Sequence, residues 1–232
     1  GRRSDPMRAP LFEIVTAAAN AAARRLTTKE NVKAALRETG TSDDTLIDQY
    51  IDRVSARAAV YCKLARTGTT PPTFGAEALR ATWYAEPGCY YREADQLLLP
   101  WRVPVTSISS VVEDGTTLDP NTDYKLLDGG LLQRLDSVTF APKLWSGGKI
   151  VVVYVAGWSL PGSVPAEIEG AVIDQVKVGY LGTDRDPALR SDSTDGLGAE
   201  TWAVPGGDSM GASGLLAPLE EVLDVFRDRT QA

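Results

Sequence analysis

The chain has 232 residues, of which 43% are hydrophobic and 24% charged, and its formal net charge is −7 with a pI of about 4.8. This length suffices for one sizeable domain or two small ones, and no run approaches the roughly 18 apolar residues that a membrane-spanning helix needs. Histidine is absent, which excludes Ser-His-Asp and Cys-His catalysis and His-ligated metal sites. The basic residues are not concentrated, so we do not expect the chain to grip nucleic acid through its phosphates. An acidic protein can still surround DNA that must slide past it.

Residues 1–25 are predicted to be an N-terminal arm, polar at first and then rich in alanine. Arginines precede an apolar run that starts at Leu11, an arrangement faintly similar to a secretory signal, but Glu13 and Asn20 interrupt the apolar part. The start of the arm is compatible with an extended segment that pairs with another subunit, and its alanine run with a helix. The sequence leaves both open.

The first helix belongs to a bundle segment predicted over 26–77. Thr27 or Thr28 is expected to cap its start, because a threonine hydroxyl accepts a hydrogen bond from the first turn. Gly40 is expected to end it, since glycine readily takes the left-handed conformation of a helix C-cap.

A longer second helix is the strongest helical signal in the chain. Ser42-Asp43-Asp44 is predicted to cap its start, so the two aspartates are interpreted as a helix cap and not as a functional acidic pair. Apolar residues then recur at steps of three and four, which places them on one face. They are Ile47, Ile51, Val54, Ala58, Tyr61 and Ala65. This face must be buried against other helices.

The apolar period changes to two over 78–157, which predicts an antiparallel β-domain of five to seven strands. Asp114-Gly115 and Asp128-Gly129-Gly130 are predicted to form hairpin turns. The stretch from Lys149 to Val155 is rich in β-branched residues and almost continuously apolar. We therefore expect it to lie centrally in the sheet.

The chain is predicted to return to helix over 158–182, with Pro165 in the first turn. Residues 183–214 are rich in Asp, Ser, Gly and Pro, and a polar loop of this length is expected to be mobile or to be ordered by contacts outside the subunit. A short amphipathic helix follows in 215–232. The predicted fold class is α+β: a small helical bundle of about four helices, an inserted antiparallel β-domain, and a long polar loop before the C-terminal helix.

One catalytic-looking motif, Gly207-Asp208-Ser209-Met210-Gly211, has the form G-x-S-x-G. A nucleophile elbow needs a strand before the serine, a helix after it and a histidine downstream, whereas here the surroundings are glycine-rich and histidine is absent. The aspartates of 183–214 match no EF-hand loop and are interpreted as solvated charges. The chain is predicted not to be an enzyme and to hold no catalytic residue, metal or cofactor.

The cysteines and aromatic residues give weaker signals. Cys62 and Cys89 are interpreted as two reduced, half-buried thiols, although the sequence also allows one disulfide between them. Aromatic pairs flank Pro87-Gly88 and suggest either a stacking platform for sugars or bases or a packed edge and subunit contact. We favour the second interpretation. The predicted subunit-contact residues are Trp83, Tyr84, Tyr90, Tyr91 and Trp202.

Short motifs in a fixed order over about 26–182 resemble those of tailed-phage head–tail connector (adaptor) proteins, including those of phage-like gene transfer particles. The run LTTKENVKAALR at 26–37 is similar to that family's opening helix, T-x-x-E-x-K-x-x-L-R, with the lysine one place later. Four later motifs resemble a strand entry, a hairpin, a strand end and a helix start of the family. These are Leu99-Pro100 with Pro104-Val105 and Ser107-Ile108, Val112-Glu113-Asp114-Gly115, Val153-Tyr154-Val155-Ala156-Gly157-Trp158, and Val164-Pro165-Ala166-Glu167-Ile168 with Ala171.

The resemblance implies a structural head–tail adaptor in the neck of a virion, assembled in the host cytoplasm. It implies a homo-oligomeric ring, usually of twelve copies, that lies under the portal and carries a stopper or tail terminator protein. DNA would pass through the lumen without sequence-specific binding, and no membrane would be involved. The alternatives are another neck or tail component, such as a stopper or tail-completion protein, and, less favoured, a carbohydrate-binding β-module.

The terminal helix is the predicted portal-docking segment. A polar tether followed by a short amphipathic helix suits insertion into a groove of another protein. The alternative is that this helix folds back on the bundle of its own subunit, and the two arrangements are compatible at different stages of assembly. The predicted docking residues are Leu215, Leu219, Val222, Leu223, Phe226, Arg227 and Arg229.

Overall fold

The computed structural model of the chain describes residues 10–18, 20–64, 66, 71–84, 94–100, 102, 104–183, 191–194, 198–201 and 213–227. These residues contain four α-helices, antiparallel sheets of five and three strands, and a separate pair of strands. The predicted α+β fold class is therefore confirmed. The chain divides into two compact units, each built from three stretches of sequence. Unit 1 consists of Gly1–Ala18, Ala65–Thr70 and Gly75–Trp158, and unit 2 of Ala19–Leu64, Pro71–Phe74 and Ser159–Ala232.

Unit 1 is formed by β-strands. They are β1 (Leu11–Thr16), β2 (Glu77–Tyr84), β3 (Gln96–Leu98), β4 (Val105–Glu113), β5 (Thr116–Thr117), β6 (Tyr124–Leu127), β7 (Leu131–Arg134) and β8 (Lys149–Ala156). The five-stranded sheet has the order β1-β2-β8-β4-β5 and the three-stranded sheet the order β3-β7-β6. All neighbouring strands run antiparallel.

Strand β8 lies at the centre of the five-stranded sheet, as its continuous apolar sequence predicted. Its even-numbered residues from Ile150 to Ala156 are fully buried in a core that also contains Leu132 and Trp145 from the layer of the three-stranded sheet. The hydroxyl of Tyr154 donates a hydrogen bond to the carbonyl of Pro100 (2.7 Å). A buried tyrosine requires such a partner. Residues of both sheets belong to one buried cluster, so the two sheets share one core.

The β4–β5 hairpin forms at the predicted Asp114-Gly115 turn. Both residues have positive φ (48° and 84°), as a two-residue turn of type I′ requires. The carboxylates of Glu113 and Asp114 accept hydrogen bonds from the backbone N–H groups of residues 146–149 at 2.7 to 3.1 Å. Gly147 is needed there, because a Cβ would lie 2.5 Å from the Glu113 side chain.

A buried ion pair anchors the segment that follows β1. The side chains of Glu77 and Arg102 form a salt bridge and are 0% and 1% exposed. The Glu77 carboxylate also accepts a hydrogen bond from the backbone N–H of Ala18 (2.8 Å), and Arg102 donates one to the carbonyl of Gly75 (3.2 Å). Buried charges require this combination of pairing and hydrogen bonding.

Unit 2 contains the helices. They are α1 (Lys29–Leu36), α2 (Asp44–Tyr61), α3 (Ala166–Leu181) and α4 (Ala217–Asp224). Helix α3 packs against the other three. Periodic apolar residues drive this packing, and the fully or almost fully buried ones are Ile47, Ile51, Val54, Ala58, Ile168, Val172 and Val176. Tyr61 is half-buried, and Ala65 lies outside the described residues.

The end of α1 differs from the prediction. The Thr28 hydroxyl caps its start by accepting a hydrogen bond from the N–H of Asn31 (3.2 Å), as expected. However, the helix ends at Arg37, which takes the left-handed conformation (φ 61°), and not at Gly40. The reason is that the N–H groups of Arg37 and Glu38 already close the last turn on carbonyls within the helix.

The interpretation of Asp43 and Asp44 as a side-chain cap of α2 is wrong. Asp43 occupies the cap position but makes no side-chain cap hydrogen bond; its carboxylate accepts one from the hydroxyl of Tyr180 in α3 (2.6 Å). Asp44 forms ion pairs with Lys29 (2.9 Å) and Lys33 (2.6 Å) of α1. Both carboxylates therefore join helices, because long donors from α1 and α3 compete successfully with the local backbone.

Two segments without a strong sequence pattern also form strands. Residues 11–16 of the predicted arm form β1, which pairs with β2 of the same chain, and residues 22–24 form one 3-10 turn. The predicted polar loop is not loop throughout, because β9 (Ser191–Thr194) and β10 (Gly198–Thr201) pair within it as an antiparallel hairpin.

Candidate docking site

Helix α4, the centre of the predicted docking segment, packs within unit 2 against α2 and α3. Leu215, Leu219 and Leu223 recur at steps of four and are fully buried. Burial of each leucine side chain contributes about 1.5–3 kcal/mol. Of the other predicted docking residues, Val222 and Phe226 are half-buried, Arg227 is exposed, and Arg229 lies outside the described residues.

Polar contacts fix the start of α4. The backbone N–H of Leu216 donates a hydrogen bond to the side-chain carbonyl of Gln175 in α3 (2.5 Å). The carbonyl of Gly214 accepts one from the guanidinium of Arg57 in α2 (3.3 Å). Gly214 has a φ of 74°, a conformation that glycine adopts without strain. These two contacts orient the start of α4 on α2 and α3.

At its other end α4 covers a tyrosine and a cysteine at the end of α2. The hydroxyl of Tyr61 donates a hydrogen bond to the carboxylate of Asp224 (2.8 Å), and this bond raises the pKa of Tyr61 because it favours the protonated hydroxyl. The guanidinium of Arg227 lies over the tyrosine ring, 5.1 Å from its centroid. Tyr61 and α4 therefore hold each other in place at the surface of unit 2.

The Cys62 thiol lies beneath α4. It is fully buried, with its sulfur 3.5 Å from the carbonyl of Leu223. Burial raises its pKa to about 12, because the thiolate would lose its hydration. The thiol is therefore protonated and unreactive at neutral pH. Cys62 is free, as interpreted, but fully rather than half-buried; Cys89 lies outside the described residues.

The predicted docking face of α4 is thus occupied within its own subunit. A partner can reach the opposite side directly, where Val225 is 80% exposed beside Arg227. Contact with Leu219 or Leu223 requires α4 to leave the surface of α2 and α3. A partner of α4 would therefore contact either this exposed side or, after displacement of α4, its leucine face.

The predicted subunit-contact residues fall into two groups. Trp83 is 6% exposed and belongs to the core of unit 1, whereas the next residue, Tyr84, is exposed and carries the ammonium of Lys149 over its ring, 5.6 Å from the centroid. Tyr90, Tyr91 and Trp202 lie outside the described residues.

In the part of the chain that the structure describes, no group of three or more His, Cys, Asp and Glu residues is arranged to hold a metal ion. None of the described helices is long and apolar enough to cross a membrane. The Ser209 motif lies outside the described residues.

Sequence reasoning missed one exposed apolar segment in unit 1. After β7, residues 137–144 are all exposed, and Val138 and Phe140 have exposed fractions of 81% and 59%. The segment lies between strands and has no periodicity. The available signal was the presence of large apolar residues in a turn rich in Ser, Thr and Pro, where burial is not expected.

No protein-family model and no curated protein sequence matches the chain. Among solved structures, it is similar to a chain in the neck of an empty gene transfer agent (GTA) particle computed with C6 symmetry. The two share 18% identity over 77% of this chain and 87% of that one, with a TM-score of 0.46. A chain in the neck of a native GTA particle, computed with C12 symmetry, is 16% identical with the same coverage and TM-score. Both similar structures belong to the necks of gene transfer agent particles.

Proposed function

We propose that the chain is a structural head–tail adaptor of a tailed phage or phage-like particle. In this role copies of the chain form a ring in the particle neck, under the portal, and carry a stopper or tail terminator protein. The observation that carries the proposal is the ordered series of connector-like motifs over 26–182. The role is structural and needs no catalytic group.

The positions of the motifs in the fold support this proposal. Pro104-Val105 lies at the start of β4, and Glu113-Asp114-Gly115 forms its hairpin. Ala156 ends β8, and Pro165 precedes the first residue of α3. Residues at the ends of helices and strands are selected for a particular backbone conformation. A shared order of such residues is therefore better support for a resemblance to the connector family than an equal number of matching apolar residues.

Helix α4 is proposed to dock on the portal. The helix follows a polar segment in the sequence and has a short apolar face, and both features suit binding in a groove of another protein. The exposed residues Val225 and Arg227 supply a first contact while α4 is still seated. Release of α4 would then transfer Leu215, Leu219 and Leu223 to the partner. The net charge of −7 suits a ring through which DNA passes without adhering.

The test is binding to purified, portal-bearing particles that lack neck proteins. We expect the full chain to sediment with these particles and to appear as a ring below the portal in a cryo-EM reconstruction. Deletion of 215–232 should abolish binding, with circular dichroism used to verify that the shortened chain is folded.

Two substitutions separate docking from stability. Val225→Asp changes an exposed position directly after α4 and should weaken binding while the fold is unchanged. Val60→Asp, at an exposed apolar position of α2, is the matched control. A folded full chain that never joins the particle neck would overturn the proposal.

One observation counts against the carbohydrate-binding alternative. A stacking platform needs the flat faces of its aromatic rings to be accessible, but Trp83 is buried among the core residues of unit 1. Of the aromatic residues in that hypothesis, Tyr84 is the accessible one in the part of the chain that the structure describes. Absence of glycan binding by the full chain is the expected result.

A further inference from the structure

The outward side of the five-stranded sheet in unit 1 has an apolar centre on β8. The inward residues of β8 fill the core, and the alternate residues of the same strand are also valines. Strand register places Ala78 of β2 and Val112 of β4 beside these valines, together with the polar residues Arg80, Thr82, Ser107 and Ser110. We name this surface the valine face; it consists of Leu11, Ala78, Val112, Val151, Val153 and Val155, each of which is at least partly exposed.

Residues 137–144, named here the apolar loop, form a second apolar surface of unit 1. Asp136 organises it: one carboxylate oxygen accepts hydrogen bonds from the backbone N–H groups of Val138 (3.1 Å) and Thr139 (2.9 Å). The N–H of Phe140 donates to the carbonyl of Asp136 (2.8 Å). The loop is thus held in one shape that leaves Val138, Phe140 and Leu144 exposed to solvent.

Phe140 in the apolar loop also has an unusual backbone conformation. Its φ is 57°, in the left-handed region that aromatic residues rarely adopt. The ring is 59% exposed, so its burial among the described residues does not offset this strain. Strained backbone and exposed aromatic side chains are both typical of contact sites.

The two surfaces lie on opposite sides of the unit 1 core. The apolar loop follows β7 and is joined to it by the hydrogen bond from the N–H of Lys143 to the carbonyl of Arg134 (3.0 Å). It therefore belongs to the layer of the three-stranded sheet. The valine face is the side of the other sheet that points away from the shared core. A single copy cannot bring its own two surfaces into contact, but the apolar loop of one copy can contact the valine face of an adjacent copy.

The distribution of charge also favours a second copy of the chain as the partner that covers these surfaces. The chain has a net charge of −7, so most approaches between copies are repulsive at low salt. The apolar loop carries a single charge, Lys143. On the valine face the charges of Glu13 and Arg80 neutralise each other in an ion pair (2.8 Å), and Lys149 adds one positive charge at the start of β8. Neither surface therefore carries the excess negative charge that opposes other approaches between copies.

We propose that copies of this chain associate head to tail, with the apolar loop of one copy packed on the valine face of the next. The inference deepens the proposed ring and rests on that proposed function. A contact between two different surfaces is heterologous, and repetition of it generates a closed ring when the rotation between copies closes.

The first test is sedimentation equilibrium of the full chain over a wide concentration range. Val138→Ser with Phe140→Asn removes the apolar loop contact, and asparagine tolerates the left-handed conformation at residue 140. Val153→Glu changes the centre of the valine face, next to Arg80 on β2. We expect each variant to weaken self-association at least about 30-fold, the effect of losing an interface hot spot.

Val60→Ser is the matched control, because Val60 in α2 of unit 2 is about as exposed as Phe140, at 62% and 59%. It should associate like the unmodified chain. Circular dichroism and thermal unfolding should show that all variants are folded, and Val138→Ser alone, at a fully exposed position, serves if the double variant unfolds. An unmodified chain that stays monomeric at every concentration would overturn the proposal, as would variants that associate normally.

A mixing experiment tests the head-to-tail geometry. The loop variant retains an intact valine face, and the face variant retains an intact apolar loop. An equimolar mixture should therefore form a one-to-one complex, although neither variant associates alone. A mixture that stays monomeric contradicts the pairing of these two surfaces. If the unmodified chain still joins particle necks in that case, the adaptor role stands and only this contact is wrong.

Discussion

Glu77 and Arg102 show how a single buried charge can determine the stability of unit 1. Replacing Glu77 by Gln removes the negative charge beside Arg102 while leaving the guanidinium buried. Breaking a buried pair in this way costs about 3–5 kcal/mol, so Glu77→Gln should lower the free energy of unfolding by that amount. Chemical denaturation monitored by tryptophan fluorescence measures the change, since Trp83 and Trp145 lie in the same unit.

The control for this prediction is Glu13→Gln. Glu13 forms an ion pair with Arg80, but both side chains are about half exposed, and an exposed pair contributes roughly 0–1 kcal/mol. Equal losses of stability in the two variants would show that burial of the Glu77 pair is not the decisive difference.

Asp136 gives a prediction of pH dependence for the apolar loop. Hydrogen bonds, first from the backbone N–H of Thr139, lower the pKa of its carboxyl group below the ordinary value of 3.8. A lowered pKa in the folded state stabilises the loop above pH 3.8, and this contribution is lost as the pH falls through the folded-state pKa. Amide exchange at Val138 and Thr139 should therefore be slow at neutral pH and faster in Asp136→Ala, whereas Asp128→Ala should not change it.

At the level of elements, periodic patterns predicted more than local capping rules did. The stripe of α2 and the central position of β8 follow from the need to bury apolar side chains, which tertiary structure preserves. The interpretations of Gly40 and Asp43-Asp44 as caps failed, because short polar side chains have several possible partners. Their choice depends on helices that are distant in sequence, such as the one that carries Tyr180.

The candidate docking surfaces were only partly predictable. The spacing of Leu215, Leu219 and Leu223 identified an apolar helix face, but spacing does not distinguish the subunit's own bundle from a partner as the covering surface. Trp83 was predicted as a subunit-contact residue, because alternation along β2 cannot be oriented without knowing which sheet face is buried. The β9–β10 hairpin is composed of residues with weak strand propensity, and no pattern announces it.

Cys62 provides a chemical probe of α4. Leu219→Ala removes buried methyl groups and should weaken packing by about 2–5 kcal/mol, so α4 should leave its position more often and expose the thiol. In a Cys89→Ser background, we expect labelling of Cys62 by a thiol reagent at neutral pH to be faster in Leu219→Ala than in the parent. Val225→Ala, at an exposed position, should not change the rate.

The same probe gives the alkaline limit of this contact. The ordinary pKa values of Cys62 and Tyr61 are 9.0 and 10.0, and both are raised in the folded chain, that of Cys62 to about 12. The contribution of these two groups to the stability of the α4 contact is therefore fully present below pH 9 and is lost as the pH rises through the folded-state values.

Thiol labelling also tests how α4 docks. Addition of portal-bearing particles at neutral pH should accelerate labelling of Cys62 if docking releases α4. Unchanged labelling of bound chains would favour docking with α4 seated.

At the scale of the whole molecule, the acidic charge leads to a simple expectation about DNA. With 31 acidic and 24 basic residues, the isolated chain should not retard duplex DNA in a gel at physiological salt, because the net charge of −7 opposes binding to phosphates. Retardation that weakens steeply with added salt would contradict this expectation and would require a concentrated basic surface after assembly.

The division of the sequence between the two units bears on synthesis. Unit 1 ends at Trp158 in the sequence. Unit 2 is completed only by α4, which starts at Ala217. During translation all β-strands of unit 1 therefore emerge while α1 and α2 still lack both α3 and α4. The isoleucine and valine stripe of α2 therefore lacks α3 and α4 as covering partners during this interval, and we expect a chaperone that binds apolar segments to recognise it there.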